Sequence, residues 1–160
     1  MKTTTDYTIT PAAPADGPAI ASLLRAADLP HEDIAPHLGH FFVARKGGVV
    51  VGAIGLEVYA PDGLLRSLVV APALRSRGLG EQLVRRLERA AAEWGVARLW
   101  LLTTTAEAFF ARRRFRVTPR TAVPTEIAAT HEFKSLCPST AICMARARAV
   151  AAIKLLRGKR

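Results

Sequence analysis

Cysteine, acidic residues and long apolar runs are all scarce in this 160-residue chain, and each scarcity excludes a class of protein. Two cysteines, Cys137 and Cys143, do not make the disulfide framework of a small secreted domain. No apolar run approaches the about 18 residues that a transmembrane helix needs. The N-terminus lacks the apolar segment of a secretory signal. We therefore expect a reduced, cytoplasmic protein with no membrane partner.

The shortage of acidic residues gives the composition its unusual feature. The chain has 13 Asp and Glu residues and 23 Lys and Arg residues, which gives a formal net charge of +10. Apolar residues at 50% and charged residues at 22% are ordinary for a folded domain and exclude a disordered chain. The charge predicts an anionic partner without saying which one. Nucleic acid is the less favoured partner, because the sequence has no stacking platform and no recognised binding motif.

The apolar pattern alternates between strand-like and helix-like segments, without a repeat or a flexible linker. This alternation predicts one α/β or α+β domain over residues 1–148. Its centre is an antiparallel meander of strands 40–45, 49–59 and 64–70, with turns at Lys46-Gly47-Gly48 and Asp62-Gly63.

Other elements are expected on both sides of the meander. Asp16 is predicted to cap a first helix, which ends before Pro30. Leucines at three- and four-residue spacing predict a long helix from Leu79 to Trp94, with Gly95 ending it. Further predicted elements are strands at 7–10, 99–104, 115–118 and 141–144, a short helix at 106–113 and a helical segment at 145–160. Within that last segment, residues 149–160 are interpreted as a basic tail with a solvated face.

A glycine-rich segment, Arg75-Ser76-Arg77-Gly78-Leu79-Gly80, joins the strand that ends at Val70 to the long helix. The first N–H groups of a helix have no intrahelical acceptor and carry partial positive charge, so they favour anions. The glycines let an anion approach the backbone, and the arginines add forked donors. No Lys-Ser/Thr of a Walker loop follows, and neither a dinucleotide motif nor a parallel βαβ pattern is expected here. The alternative is a helix start with incidental arginines, which the setting between strand and helix disfavours.

This segment and the order of the elements resemble the GNAT N-acetyltransferases, whose signature is Gln/Arg-x-x-Gly-x-Gly/Ala. The resemblance covers residues 7–148 and includes Ala106–Phe115, which in the family usually reads Ala-x-x-Phe-Tyr-x-x-x-Gly-Phe. It implies the GNAT fold: a mixed, mostly antiparallel central sheet flanked by helices, with a splayed strand pair that binds acetyl-CoA. It also implies transfer of an acetyl group from acetyl-CoA to a primary amine, without a metal.

Acetyl-CoA would contact two segments under this resemblance. Its pyrophosphate would lie on the amides from Arg75 to Gly80, and its pantetheine arm along Leu68-Val69-Val70, where a backbone N–H would polarise the thioester carbonyl. Thr103 stands where the family often has the asparagine that anchors pantetheine. The implied cofactor-binding residues are Leu68, Val69, Val70, Arg75, Ser76, Arg77, Gly78, Leu79, Gly80, Thr103 and Phe110.

Phe110 departs from the family pattern, because the family often has there a tyrosine that protonates the leaving thiolate. Phenylalanine has no proton to donate, so Tyr59, Thr105, Cys137 or water remain candidates for the acid. Arg114 also replaces the usual glycine. These departures leave open a catalytically weak acyl-CoA-binding or sensing module.

The acceptor amine must lose a proton before it attacks. At pH 7 this costs about 4.6 kcal/mol for an amine with a pKa of about 10.4, and about 1.1 kcal/mol for one near 7.8. Glu57, a charge in an apolar strand, is the candidate base, acting through water. Arg66 interrupts the next strand in the same way and would hold an acidic group of the substrate. Alternatively, the two residues form a purely structural ion pair.

A finer resemblance is to the GNAT proteins of arsenic-resistance operons, whose relatives acetylate the α-amine of phosphinothricin-like or arsinothricin-like amino acids. The segments that carry it are Gly55–Glu57, Leu64–Leu68, Leu102–Glu107 and Leu136–Pro138. It implies a small amino-acid substrate with an anionic side group, contacted by Arg66, Thr105 and Arg120. A homodimer is compatible with this resemblance. Metalloid binding by Cys137 and Cys143 is disfavoured, since no third thiol or nearby histidine completes a site.

Overall fold

The computed structural model describes residues 7–136 and 139–147. Within these residues, seven strands form one mixed sheet in the order β1-β2-β3-β4-β5-β7-β6. The strands are β1 (Thr8–Pro11), β2 (Phe41–Lys46), β3 (Val49–Tyr59), β4 (Asp62–Val70), β5 (Arg98–Thr103), β6 (Arg116–Val117) and β7 (Ile142–Ala147). The α-helices are α1 (Gly17–Ala26), α2 (Leu79–Glu93), α3 (Glu107–Ala111) and α4 (Thr125–Ala128). Short 3₁₀ turns lie at Pro14–Asp16, Ala35–His40, Pro72–Leu74 and Arg120–Ala122, and a π-helical turn at Glu132–Leu136.

Strand directions confirm a mostly antiparallel mixed sheet. β1–β2, β2–β3, β5–β7 and β6–β7 pair antiparallel, whereas β4 and β5 pair in parallel. Since α2 connects β4 to β5, the expectation that no parallel βαβ unit surrounds the glycine-rich segment is wrong. The parallel register covers only Asp62–Leu64 against Arg98–Trp100, which is too short to leave a pattern in the sequence.

The chain forms two compact units. The first runs to Leu56 and resumes at Ser67–Arg89, and the second comprises Glu57–Arg66 and the chain from Ala90 onward. The two long strands β3 and β4 each contribute residues to both units.

The first unit has a helix on each face of its strands. Because side chains alternate along β2, Phe41 and Val43 join Ile20 and Leu24 of α1 in one apolar cluster. On the opposite face, the guanidinium of Arg86 in α2 lies 4.3 Å from the ring centroid of Phe42.

The second unit has its own apolar cluster, formed by Leu64, Trp100, Ile127 and Cys143. The indole Nε1 of Trp100 donates a 2.8 Å hydrogen bond to Asp62 Oδ1, which ties the start of β4 to β5. This cluster therefore links the strands of the second unit to α4.

The turn between β3 and β4 lies at Ala60-Pro61, so the predicted turn at Asp62-Gly63 is wrong. The backbone N–H groups of Ala97 and Arg98 both donate to the Pro61 carbonyl, at 2.7 and 3.1 Å. The parallel pairing with β5 draws Asp62 into the strand, a contact that a local turn pattern does not reveal.

Asp16 precedes α1 as predicted, but its side chain does not cap the helix. Its carboxylate accepts two hydrogen bonds from Arg45 Nη2, at 2.7 and 2.8 Å, and one from the Ala13 N–H at 2.8 Å. The charged guanidinium is the stronger partner, so the carboxylate turns toward β2.

The predicted helix at 145–160 is wrong at its start, because β7 continues to Ala147 in full register with β5. The basic tail at 149–160 lies outside the described residues. None of the helices in the described part of the chain is long and apolar enough to cross a membrane.

Candidate functional site

The glycine-rich segment forms an exposed loop between two buried leucines. Leu74 ends the 3₁₀ turn that follows β4, Leu79 begins α2, and residues 75–78 between them are exposed. Ser76 and Gly78 both have positive φ, 64° and 85°, which glycine adopts without strain. The Gly78 carbonyl accepts the N–H of Gln82 at 3.1 Å, so Gly78 stands at the N-terminus of α2.

The loop combines three sources of positive potential. The 15-residue helix α2 directs its N-terminal N–H groups at the loop, and the macrodipole adds to them. Arg77 is exposed, while Arg75 Nε donates to the Val70 carbonyl at 3.1 Å and braces the loop against the end of β4. The structure thus brings the predicted residues Arg75–Gly80 together in an arrangement suited to a pyrophosphate.

Four polar side chains form a charge cluster in the second unit: Glu57, Tyr59, Arg66 and Glu132. Arg66 Nη1 donates to Glu57 Oε2 at 2.7 Å, and Arg66 Nε lies 3.5 Å from Glu132 Oε1. The Tyr59 hydroxyl donates to Glu57 Oε1 at 2.6 Å. The predicted ion pair between Glu57 and Arg66 is therefore present, within a larger network.

Burial makes this charge cluster energetically sensitive. The side chains of Arg66, Glu57 and Glu132 are 0%, 3% and 5% exposed. Unpaired charges at such depth cost several kcal/mol, so each of them needs its partners. A substrate anion would have to reach Arg66 beside the two carboxylates that already contact it.

Sequence reasoning missed Glu132, which lies in the irregular segment between β6 and β7. No periodic pattern marks that segment. The only hint was Arg66 itself, a charge in an apolar strand that requires a buried partner.

Two further predicted substrate residues, Thr105 and Arg120, also belong to the second unit. Thr105 is exposed after β5. Arg120 donates from Nη2 to the Ala141 carbonyl at 3.0 Å, and its guanidinium lies 6.0 Å from the Phe133 ring centroid. Their contact with a substrate stays a prediction.

Thr103 and Phe110 are the predicted cofactor residues of the second unit. The Thr103 side chain makes a hydrogen bond with the backbone, whereas Phe110 packs against other aromatic rings. Thr103 Oγ1 accepts the Ala106 N–H at 2.9 Å and shapes the turn into α3. Phe110 is buried edge-on between Phe109 and Phe115, with ring centroids 5.0 and 5.4 Å away.

Cys143 is a buried free thiol, and burial raises its pKa. Cys137, the other half of the metalloid interpretation, lies outside the described residues. Among the residues that the structure describes, no group of three or more His, Cys, Asp and Glu side chains is arranged to hold a metal ion.

The profile of the acetyltransferase (GNAT) family matches residues 11–116, which include the loop, α2 and β5. The chain belongs to this family. That membership confirms the broader of the two resemblances and the GNAT fold that it implies, but it does not distinguish the arsenic-resistance subtype within the family.

Two proteins to which the chain is similar are named as acetyltransferases. The chain is 34% identical over 80 residues to the amino-acid acetyltransferase of Ralstonia nicotianae. This match covers 49% of this chain and 18% of that protein. It is 32% identical over 97 residues to an uncharacterized N-acetyltransferase of Chlorobaculum tepidum, covering 60% of this chain and 62% of that one. The chain thus spans less than two thirds of either relative's length.

Solved structures have the same fold. The N-acetylglutamate synthase of Neisseria gonorrhoeae, complexed with coenzyme A and N-acetyl-glutamate, superposes on 88% of this chain and 35% of its own, with a TM-score of 0.78 and 24% identity. The protein Rv2747 of Mycobacterium tuberculosis, in complex with CoA, covers 88% of this chain and 99% of its own, with a TM-score of 0.75 and 26% identity.

Proposed function

We propose that this protein is an acetyl-CoA-dependent N-acetyltransferase that acetylates the α-amino group of a small amino acid. The observation that carries the proposal is the segment Arg75–Gly80 at the N-terminus of α2, exposed over residues 75–78, which offers backbone donors and two arginines to a pyrophosphate. Family membership supports the reaction, and the amino-acid acetyltransferases among the relatives support the class of acceptor.

In this proposal the amino-acid amine, once neutral, attacks the thioester carbonyl of acetyl-CoA. The new C–N bond forms, the C–S bond breaks, and CoA leaves as a thiolate, which is a fairly good leaving group. The acylated nitrogen then loses its surplus N–H proton to solvent, which leaves a neutral amide. Pantetheine runs along Leu68-Val69-Val70, where a backbone N–H stabilises the developing oxyanion. Thr103 and Phe110 complete the cofactor contacts.

Glu57 is the proposed acceptor of the proton that the amine must lose. Its carboxylate is held by Arg66 and Tyr59, which fixes both oxygens in place. Glu57→Gln should lower kcat while leaving acetyl-CoA affinity unchanged. An unchanged turnover would remove Glu57 from the mechanism.

An acceptor with an anionic side group is the narrower proposal, and it would include a role in arsenic or phosphinothricin resistance. The positive residues Arg66 and Arg120, with the hydroxyl of Thr105, are its proposed contacts. The test compares acetylation of L-glutamate, phosphinothricin and L-alanine. A preference for the neutral amino acid would reject the anionic acceptor.

Thermal unfolding with and without acetyl-CoA tests the cofactor half of the proposal. At about 100 times its dissociation constant, acetyl-CoA should stabilise the protein by about 2.7 kcal/mol. Acetyl-pantetheine, which lacks the pyrophosphate and the nucleotide, is the matched ligand and should stabilise it less. The absence of any shift with acetyl-CoA would reject acetyl-CoA as the ligand.

A binding or sensing module is the alternative function, favoured by Phe110, whose buried ring offers no proton to a leaving thiolate. Release of free CoA thiol on addition of amino acids separates the two functions. An enzyme releases thiol in proportion to the acceptor consumed, whereas a module binds acetyl-CoA without release.

A further inference from the structure

Strand β6 lies at the end of the strand order, and β7 is its one neighbour among the described strands. The Thr118 N–H donates to the Cys143 carbonyl at 2.8 Å. Bonded and non-bonded pairs alternate along an antiparallel ladder, so Val117, opposite Met144, occupies a non-bonded position. The backbone N–H and carbonyl of Val117 therefore point away from β7, toward the open edge of the sheet.

The side chain at this edge is apolar and exposed. Val117 is 60% exposed, and it is one of two large apolar side chains with such exposure in the described part of the chain. Successive side chains of a strand lie on opposite faces, so Arg116 and Val117 occupy different faces of the sheet. An edge strand with an outward donor and acceptor is a template for pairing with another strand.

Three exposed arginines accompany the edge within five consecutive residues: Arg112, Arg114 and Arg116. Their side chains form no ion pair with any residue that the structure describes. The sequence has no Asp or Glu between Ala108 and Thr125, and none after Glu132. Strands β6 and β7 thus contain no carboxylate side chain that could neutralise this positive charge.

The backbone at Arg114 adds a further observation. Its φ of 71° lies in the left-handed region, where a bulky residue is rare and glycine is favoured. Arg113 differs from its exposed neighbours, since its Nη1 donates to the Phe109 carbonyl at 2.7 Å and its guanidinium lies 3.6 Å from the Phe109 ring centroid. Packing explains Arg113, whereas a strained and exposed arginine at position 114 indicates a function for its charge.

We propose that these four residues, Arg112, Arg114, Arg116 and Val117, form a basic edge that binds an extended acidic segment of another protein. The segment adds to the sheet as a further strand and pairs with the outward N–H and carbonyl of Val117. Its residue opposite Val117 lies on the same face and is apolar, while the residues on either side lie on the face of Arg116 and are acidic. The preferred pattern is therefore acidic–apolar–acidic.

Two other occupants fit the edge less well. A nucleic acid would contact the arginines but has no strand backbone for Val117 and no apolar side chain to cover it. A second copy of the chain would bring Arg116 toward the same basic edge of its partner, and like charges across a strand pair are destabilising. Since Pro119 ends the edge after two residues, charge supplies most of the affinity, and binding should weaken as salt is added.

The test titrates the full chain into a fluorescent, capped peptide of about nine residues that alternates Glu and Val, and follows the anisotropy. The peptide should bind, and a matched peptide that alternates Lys and Val should not. The triple variant Arg112→Gln, Arg114→Gln and Arg116→Gln should lose about tenfold in affinity. The control makes the same change of charge in the first unit, at three exposed arginines, and should leave the affinity unchanged: Arg25→Gln, Arg85→Gln and Arg89→Gln.

Val117→Pro tests the strand pairing separately from the charge. It removes the outward N–H, which makes no bond to β7, and should also lower the affinity about tenfold. Val117→Thr keeps the N–H and the branched side chain and should bind more tightly than Val117→Pro. Thermal unfolding checks that each variant is folded, and the triple arginine variant tests the edge if Val117→Pro does not fold.

Four results would overturn the basic edge. They are no binding of the Glu-Val peptide by the unaltered chain, an equal loss in the control triple variant, equal binding by Val117→Pro and Val117→Thr, and displacement of the peptide by acetyl-CoA. Tighter binding of a single-stranded oligonucleotide, lost in the triple arginine variant but kept in Val117→Pro, would assign the surface to nucleic acid instead. Peptide binding is measured without acetyl-CoA, so its failure leaves the proposed acetyl transfer untouched.

Discussion

Arg66 Nε lies 3.5 Å from Oε1 of Glu132, so a guanidinium on β4 meets a carboxylate of the π-helical turn Glu132–Leu136 inside the second unit. Both side chains are buried. This ion pair stabilises the contact of the π-helical turn with β4, because the turn makes no strand pairing that would hold it there.

Glu132→Gln should lower the free energy of unfolding by about 1–3 kcal/mol, because a buried charge-assisted contact is lost while Arg66 keeps Glu57. Urea unfolding at pH 7 measures the change. Glu126→Gln, an exposed neighbour in α4, is the control and should change stability by less than about 0.5 kcal/mol. Equal stability of the two variants would show that the Arg66–Glu132 contact contributes nothing.

Arg75→Ala should weaken acetyl-CoA binding about tenfold, the equivalent of about 1.4 kcal/mol for one charge-assisted contact. The substitution also removes the bond from Arg75 Nε to the Val70 carbonyl, which braces the loop. Calorimetric titration with acetyl-CoA and acetyl-pantetheine measures both affinities, and only the first should fall. Arg25→Ala, at an exposed arginine in the last turn of α1, is the control for loss of charge alone. A similar effect in both variants would mean that net charge, not the loop, attracts the ligand.

Gly55→Ala should destabilise the first unit by about 1–3 kcal/mol through overpacking. An added Cβ would overlap the ring of Phe41, which is only 1% exposed. Gly39→Ala is the matched control, since a Cβ there meets no atom within 4 Å. Thermal unfolding of the two variants compares them, and a Gly55→Ala protein as stable as Gly39→Ala would contradict the close approach of Phe41.

Asp16→Asn should lower the free energy of unfolding by about 1–2 kcal/mol at pH 7, because the substitution removes the negative charge that Arg45 and the Ala13 N–H stabilise. The hydrogen bond from Arg45, followed by that from Ala13, holds the pKa of Asp16 below its usual value. The stabilisation is therefore complete above the unfolded pKa of about 3.9 and is lost as the pH falls through the lower folded pKa.

The difference in the free energy of unfolding between wild type and Asp16→Asn should consequently become smaller as the pH falls. Urea unfolding at pH 7 and at pH values below 4 measures this difference. Asp28→Asn, at an exposed aspartate whose positive φ asparagine tolerates, is the control for the loss of one negative charge at pH 7. A difference that stays constant down to acid pH would contradict the Asp16–Arg45 assignment.

Local patterns explain the parts of the fold that were predicted correctly. The hairpin at Gly47-Gly48 has positive φ at both glycines, as two-residue hairpin turns require. Helix α2 follows its leucine spacing and stops before Gly95, which has φ of +78°. The loop of the candidate site was recognisable for the same reason, since its residues are contiguous in the sequence.

Contacts between distant segments explain the failures. The turn at Ala60-Pro61 depends on β5, and Asp16 turns to Arg45 on β2 instead of capping α1. The role of Glu132 as a partner of Arg66 depends on the fold, which brings the irregular segment against β4. In each case the deciding partner is remote in the chain, so no window of neighbouring residues contains it.

The sequence by itself determined three properties: the small number of acidic residues that gives the net charge of +10, the glycine-rich loop that suits an anion, and the family to which the chain belongs. These properties follow from composition and from residues that are neighbours along the chain. Only the tertiary structure decided how Glu57, Tyr59, Arg66 and Glu132 share their protons and charges. Buried charges demand partners at hydrogen-bond distance, and folding alone selects which ones they find.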